Sequence, residues 1–156
     1  RYKAMPILKS IGNVGKTIGS LKAVLNYVAR KGTNENVLCS GVGVADDSDK
    51  AFNQFMFNKR IHEQVGGKMY KHYVQSFSSN DNITPEMAHE IAVKFAEENF
   101  LSRGFKCYVA THSDKDHIHS HIILDNVNIE SGLKYKELDE KDLKKNNTKK
   151  DLKKKN

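Results

Sequence analysis

Thr111-His112-Ser113-Asp114-Lys115-Asp116-His117-Ile118-His119-Ser120-His121 decides how this chain builds its sheet. Residues 105–112 before it are an apolar run that reads as a strand. Residues 113–116 are a polar turn, and residues 117–128 are the returning strand. So short a connection joins antiparallel neighbours, because a parallel crossover needs a dozen residues or more. A doubly wound parallel sheet is therefore set aside for an α+β sandwich with a mainly antiparallel central sheet flanked by helices.

Outward from that hairpin, the rest of the chain alternates. Residues 4–11 predict a first strand that Pro6 confines to an edge or to a late start. Ser20 is expected to cap a helix running to Gly32, with Leu21, Val24, Leu25 and Val28 at i, i+3, i+4 and i+7. Residues 37–44 predict a strand. Asp47 or Ser48 opens a second helix, with Phe52, Phe55 and Met56 buried, ending near Gly66-Gly67. Residues 69–77 form a strand, residues 78–82 a loop, and Thr84-Pro85 starts a third helix with Ala88, Ile91, Ala92 and Phe95 on its core face. Gly104 closes the connection to the hairpin. The order is β-α-β-α-β-α-β-β.

At 156 residues, with 38% hydrophobic and 29% charged residues, the chain makes one domain with a densely charged surface. No apolar run reaches eighteen residues, so no membrane span is expected, and no signal peptide is evident. Two cysteines, Cys39 and Cys107, cannot frame a disulfide scaffold. An intracellular, cytoplasmic location is expected. The net charge of +7 is unevenly spread, since residues 134–156 hold ten lysines against five acids. We therefore expect a body over 1–133 and a Lys-rich helical or disordered tail over 134–156, leading to a further C-terminal region.

Four of the seven histidines fall within ten residues. Side chains alternate along a strand, so His117, His119 and His121 share one face while Ile118, Ser120, Ile122 and Leu124 take the other. An apolar core does not select three imidazoles, whereas a divalent transition metal does. A four-residue turn at 113–116 would set His112 opposite His117, with His119 one diagonal step further in. Either His112/His117/His119 or His112/His119/His121 then forms the ligand set. Asp114 and Asp116 are candidates to complete the shell or to orient a ligand.

The first helix offers a nucleophile. Tyr27 lies about 110° from the centre of its apolar stripe at ~100° per residue, with Arg30 and Lys31 at i+3 and i+4. Two cations beside a phenol favour phenolate and hold a phosphate. Gly12-Asn13-Val14-Gly15-Lys16-Thr17 imitates a nucleotide-binding loop, but Ser10 occupies the position that motif reserves for its first glycine.

Together, Leu21-Lys22-Ala23-Val24-Leu25-Asn26-Tyr27-Val28 and His112, Asp114, His119, His121, Ile122-Ile123-Leu124 with Asn126 or Asn128 resemble the tyrosine HUH endonucleases. The nearer resemblance is to conjugative relaxases of the plasmid-mobilisation, MobA/VirD-like type. Tyr73-Val74-Gln75-Ser76-Phe77-Ser78 and the helix at Thr84-Pro85 are similar to that family's middle region. Ser120 departs from the bulky apolar residue usual between the paired histidines, on the side of the strand away from the site. The resemblance covers residues 5–128.

It implies an HUH-type sandwich and metal ligation by His112, His119 and His121. It also implies that Tyr27 nicks single-stranded or melted DNA at a transfer origin and stays attached through a 5′-phosphotyrosyl bond. The cation that the resemblance implies is manganese or magnesium. Asp114 is expected to orient His112 or serve as a base. Lys16, Lys22, Arg30 and Lys31 are expected to contact DNA phosphates, and accessory relaxosome proteins are expected partners. Tyr70, Tyr73 and Phe77 are candidates for base stacking, with at least part of that set in the core. Two other readings carry different consequences. A rolling-circle replication initiator places its nucleophile after the histidines, where Tyr135 stands. A non-catalytic, metal-stabilised DNA-binding module needs no tyrosine.

Overall fold

The computed structural model describes residues 6–78, 81–114 and 117–137. The expected start of the first strand at residues 4 and 5, part of the 78–82 loop, Lys115-Asp116 and residues 138–156 of the Lys-rich tail lie outside the described residues. Strands β1 (Ile7–Ile11), β2 (Leu38–Val42), β3 (Lys71–Phe77), β4 (Cys107–Asp114) and β5 (His117–Leu124) alternate with helices α1 (Ile18–Val28), α2 (Ser48–Ile61) and α3 (Pro85–Asn99). They form one open sheet in the order β1-β3-β5-β4-β2, antiparallel at every pairing. The molecule is the α+β sandwich expected from the hairpin, and β1 sits at an edge where its preceding proline costs no ladder bond.

Two apolar layers cover the sheet. On one face, Leu21, Leu25 and Val28 of α1 and Ala51, Phe55 and Met56 of α2 pack on Tyr108, Ala110 and Ile123. On the other, Ala92, Phe95 and Ala96 of α3 pack on Tyr73, Val109, Ile122 and Leu124. The periodicity thus selected the buried faces, and the ends of the elements are where expectation and structure part. Helix α1 starts earlier than Ser20, because Thr17 is its cap. The Thr17 side chain accepts from the Ser20 backbone and the Ser20 hydroxyl returns the bond, a capping box that makes Ser20 the third helical residue. The helix stops at Val28, short of Gly32, and α2 stops at Ile61 rather than near Gly66. Thr84 caps α3 as expected, and Gly104 turns the chain at φ +97°, a conformation that suits glycine.

The glycine-rich loop before α1 serves the fold. Gly15 accepts from the Met69 amide and donates to the Tyr70 hydroxyl. Tyr70 is buried in this role, and Tyr73 and Phe77 are buried too, so none of the three is offered to a base.

The hairpin pairs two residues further out than the expected four-residue turn allows. Asp114 lies opposite His117, and His112 lies opposite His119 rather than His117. Ser113 and Asp114 are turn-forming residues by type, but the ladder continues through them beyond the helical cover, where exposed strand positions accept polar side chains.

At the inner end of β5 a buried charge pair ties α2 to the sheet. Lys59 and Asp125 are both fully buried, with Nζ 2.8 Å from Oδ1. Lys59 also donates to Asn126 Oδ1, and Asn58 donates to Asp125 Oδ2 and to the Val127 carbonyl. Burial pulls the Lys59 ammonium below its usual pKa, and the Asp125 carboxylate works against that shift. Past the expected body boundary at 133, the chain stays attached through Glu137. Tyr135 packs against Phe100 and Phe105, and Glu137 pairs with Lys71.

Removing one member of a buried pair strands the other's charge, at a cost of about 3–5 kcal/mol. Asp125→Ala is therefore expected to lower unfolding stability by about that amount in urea titrations, whereas Lys22→Ala on the surface changes it by less than about 0.5 kcal/mol.

Candidate active site

The pairings of β4 and β5 place four imidazoles on the α1/α2 face of the sheet. His112 and His119 are direct partners, and His121 lies opposite Ala110. The His112 ring centroid is 5.0 Å from that of His121 and 6.3 Å from that of His119. His117 sits at the exposed outer end of the row, 6.2 Å from His119 and opposite Asp114, which is also exposed. Ser120 points to the other face, where it is fully buried and bonded to Thr111.

Strand β3 stands behind two of these rings. Ser76 Oγ is 3.0 Å from His119 Nδ1, and His72 Nε2 is 2.9 Å from His121 Nδ1. In both rings Nδ1 is thereby engaged and Nε2 is left for another partner. No sequence motif singles out His72. It lies forty-nine residues from His121, and only the β3–β5 pairing brings the two together.

The tyrosine reaches this row through one residue. Tyr27 is in the last turn of α1 and is 62% exposed. Arg30 follows the helix in the left-handed region at φ +54°. Its guanidinium carbon lies 5.3 Å from the Tyr27 ring centroid, and its Nη2 lies 3.3 Å from His112 Nε2. Arg30 thus joins the nucleophile candidate to a histidine eighty-two residues beyond Arg30 itself. Arg30 Nε and His112 Nδ1 are both buried without a hydrogen-bond partner, so Asp114 does not orient His112 through that nitrogen.

The remaining basic candidates are dispersed. Lys31 pairs with Asp49 of α2, Lys22 lies over the Phe52 ring at 5.8 Å, and Lys16 is exposed in the loop before α1. Tyr135 is on the opposite side of the sheet, its hydroxyl 2.8 Å from that of Tyr73. His62 bonds the Ile129 carbonyl. His89 of α3 bonds Ser40 and Thr111 of the sheet. Of the asparagines after the histidines, Asn126 serves Lys59 and the Lys68 carbonyl, and Asn128 serves the Arg103 carbonyl.

Burial keeps the inner imidazoles uncharged. It lowers His72 to about 4 and, together with neighbouring rings and Arg30, lowers His121 to about 3. Burial and then Arg30 lower His112 as well. Neutral imidazole is the form that binds a cation. Among the described residues, no three His, Cys, Asp or Glu side chains stand close enough to hold an ion as they are. The donor set nevertheless fits one. His119 and His121 each have Nε2 uncommitted, and His112 Nε2 already faces a cation, the Arg30 guanidinium. The buried Nδ1 of His112 has no hydrogen-bond partner, and Arg30 Nε, also without one, lies 3.7 Å from the Glu35 carboxylate.

Residues 27–155 match the family model described as relaxase, MobA/VirD2-like, nuclease domain. The chain is 36% identical over 87 residues to the group II intron-interrupted relaxase LtrB of Lactococcus lactis subsp. cremoris (strain MG1363), covering 56% of this chain and 15% of that protein. It is 28% identical over 122 residues to a protein rlx of Staphylococcus aureus, covering 78% of this chain and 36% of that one. A second protein rlx of the same species is 29% identical over 122 residues, again 78% of this chain and 35% of the relative. The chain therefore spans little more than a third, at most, of these relatives' length.

Because His72 and His121 titrate near 4 and 3 when folded and near 6.5 when unfolded, the unfolded chain binds more protons below pH 6.5. Their effect is absent above that value, and stability falls as pH drops from about 6.5 toward 3. Urea midpoints at about pH 7.5 and about pH 5 should show this loss, and His121→Gln should flatten it.

Proposed function

The chain belongs to the MobA/VirD2-like relaxase family and carries its nuclease domain, and from that membership we propose that it nicks and rejoins DNA at the transfer origin of a mobile element. The observation that carries this reading is the Tyr27–Arg30–His112 connection, which brings an exposed phenol and the histidine row to one place. The Tyr27 oxygen attacks the scissile phosphorus. The bond from phosphorus to the 3′ oxygen breaks as the tyrosyl bond forms, giving a 5′-phosphotyrosyl protein and a free 3′-OH. Ester energy is conserved in that exchange, so the same centre reverses it to rejoin the strand. Arg30, between phenol and histidine, binds the phosphate and supports its added negative charge. Asp114, on the histidine face two residues beyond His112 and not engaged by that ring, takes the phenolic proton and returns it to the leaving oxygen.

His112, His119 and His121 would hold a divalent cation, manganese or magnesium, which would supply a Lewis acid for a non-bridging phosphate oxygen. An all-imidazole set favours manganese of the two. Lys16, Lys22 and Lys31 extend the phosphate contacts along the strand. The setting is the bacterial cytoplasm, with accessory relaxosome proteins at the origin. No helix among the described residues is long and apolar enough to cross a membrane.

Tyr135 opposes the replication-initiator reading, because its hydroxyl faces Tyr73 on the far side of the sheet. Labelled single-stranded origin DNA, mixed with protein and Mn2+ and run under denaturing conditions, should yield a covalent adduct. That adduct should vanish with Tyr27→Phe or a chelator and persist with Tyr135→Phe. Since Tyr27 is exposed, Tyr27→Phe should leave stability within about 0.5 kcal/mol. Loss with Tyr135→Phe instead would favour the initiator, and no adduct with any variant would favour a metal-stabilised DNA-binding module.

A further inference from the structure

We propose that His72 is a positioning residue for the metal centre: its Nε2 accepts the Nδ1–H of His121 and so fixes His121 in the tautomer whose Nε2 lone pair faces the cation. This rests on the reading of His121 as a ligand. A histidine that binds through Nε2 must keep its proton on Nδ1, and an acceptor at that nitrogen selects the tautomer and the ring angle. For His121, the atom in that place is His72 Nε2, at 2.9 Å, with the ring centroids 5.2 Å apart. His72 is only 9% exposed, so water does not compete freely for the contact.

The backbone holds His72 there. It pairs with Ile11 on one side and Ile123 on the other, two residues along the strands from the Val74–His121 pair and so on the same face. Neutral imidazoles have one N–H each. If His72 Nε2 carried the shared proton, His121 would have to hold its own on Nε2 and could not ligate. An imidazole acceptor also differs from the carboxylate that often stands behind a metal-bound histidine, because it adds no negative charge. A cation bound here keeps its full pull on a phosphate oxygen.

The test uses the 156-residue chain and Mn2+ alone. Calorimetric titration compares wild type with His72→Gln, whose amide oxygen can accept in the place of Nε2, and with His72→Phe, which fills the space without an acceptor. The expected result is that His72→Phe weakens Mn2+ binding by about 10–100-fold, while His72→Gln stays within about threefold of wild type. Far-UV circular dichroism and thermal midpoints without metal check that each variant folds. Wild-type affinity in His72→Phe overturns the proposal and leaves the metal site standing. Equal loss in both variants also overturns it, because His72 would then bind metal or act through packing alone. Failure of wild type to bind Mn2+ removes the metal reading and this inference with it.

A second measurement does not depend on the variants. Long-range 1H–15N correlation spectra of the metal-free wild type should show His121 protonated on Nδ1. Protonation on Nε2 overturns the proposal.

Discussion

The pairing of His112 with His119 across β4 and β5 is the contact on which the rest of this molecule depends. Those strands occupy the middle of the sheet, so their register determines which side chains face α1 and α2 and which face α3. A slip of one residue would carry the histidines into the apolar layer under α3 and drive Ile118, Ile122 and Leu124 to the other side. The apolar side chains between the histidines make that slip costly. A polar row is therefore held in place by the hydrophobic row on its reverse.

What the row faces is equally constrained. The inner rings are neutral because they are buried, and Arg30 is the cation that reaches them. It does so from a left-handed turn just after α1, and Leu25 and Val28 anchor that helix end in the core while Tyr27 faces outward. Nucleophile, cation and ligands thus arrive from separate elements, yet each rests on packed backbone. The Lys59–Asp125 pair does the same for the far end of β5, joining α2 to the strand that carries His119 and His121.

Much of this is readable in the amino-acid sequence. Leu21, Leu25 and Val28, and then Ala88, Ile91, Ala92 and Phe95, advertise their helices by spacing, and Thr84-Pro85 marks a start by its chemistry. The histidine row and Tyr27 were legible as residue types. Their meeting through Arg30 was not, since nothing local encodes a contact over eighty-two residues. Lys59 was hidden for a related reason. Asn58-Lys59-Arg60 looks like a solvated helix face, and the acid that justifies burying the lysine follows sixty-six residues later. His72 reads as one more strand residue until the order of strands is known. The hairpin register was missed because Ser113 and Asp114 are turn formers, and residue preference gave way to pairing.

The strand order β1-β3-β5-β4-β2 also sets a timetable. The central strand is the last of the described strands to be made. Before it exists, β1 can pair with β3 and β2 with β4, but these two ribbons share no hydrogen-bonded edge. The growing chain therefore cannot complete its sheet until β5 leaves the ribosome, and the connections it must close by then are long, which slows folding. The same strand delivers His119 and His121, so a partly synthesised chain has Tyr27 but no histidine row to set beside it. Here, the fold and the candidate site become complete in a single event.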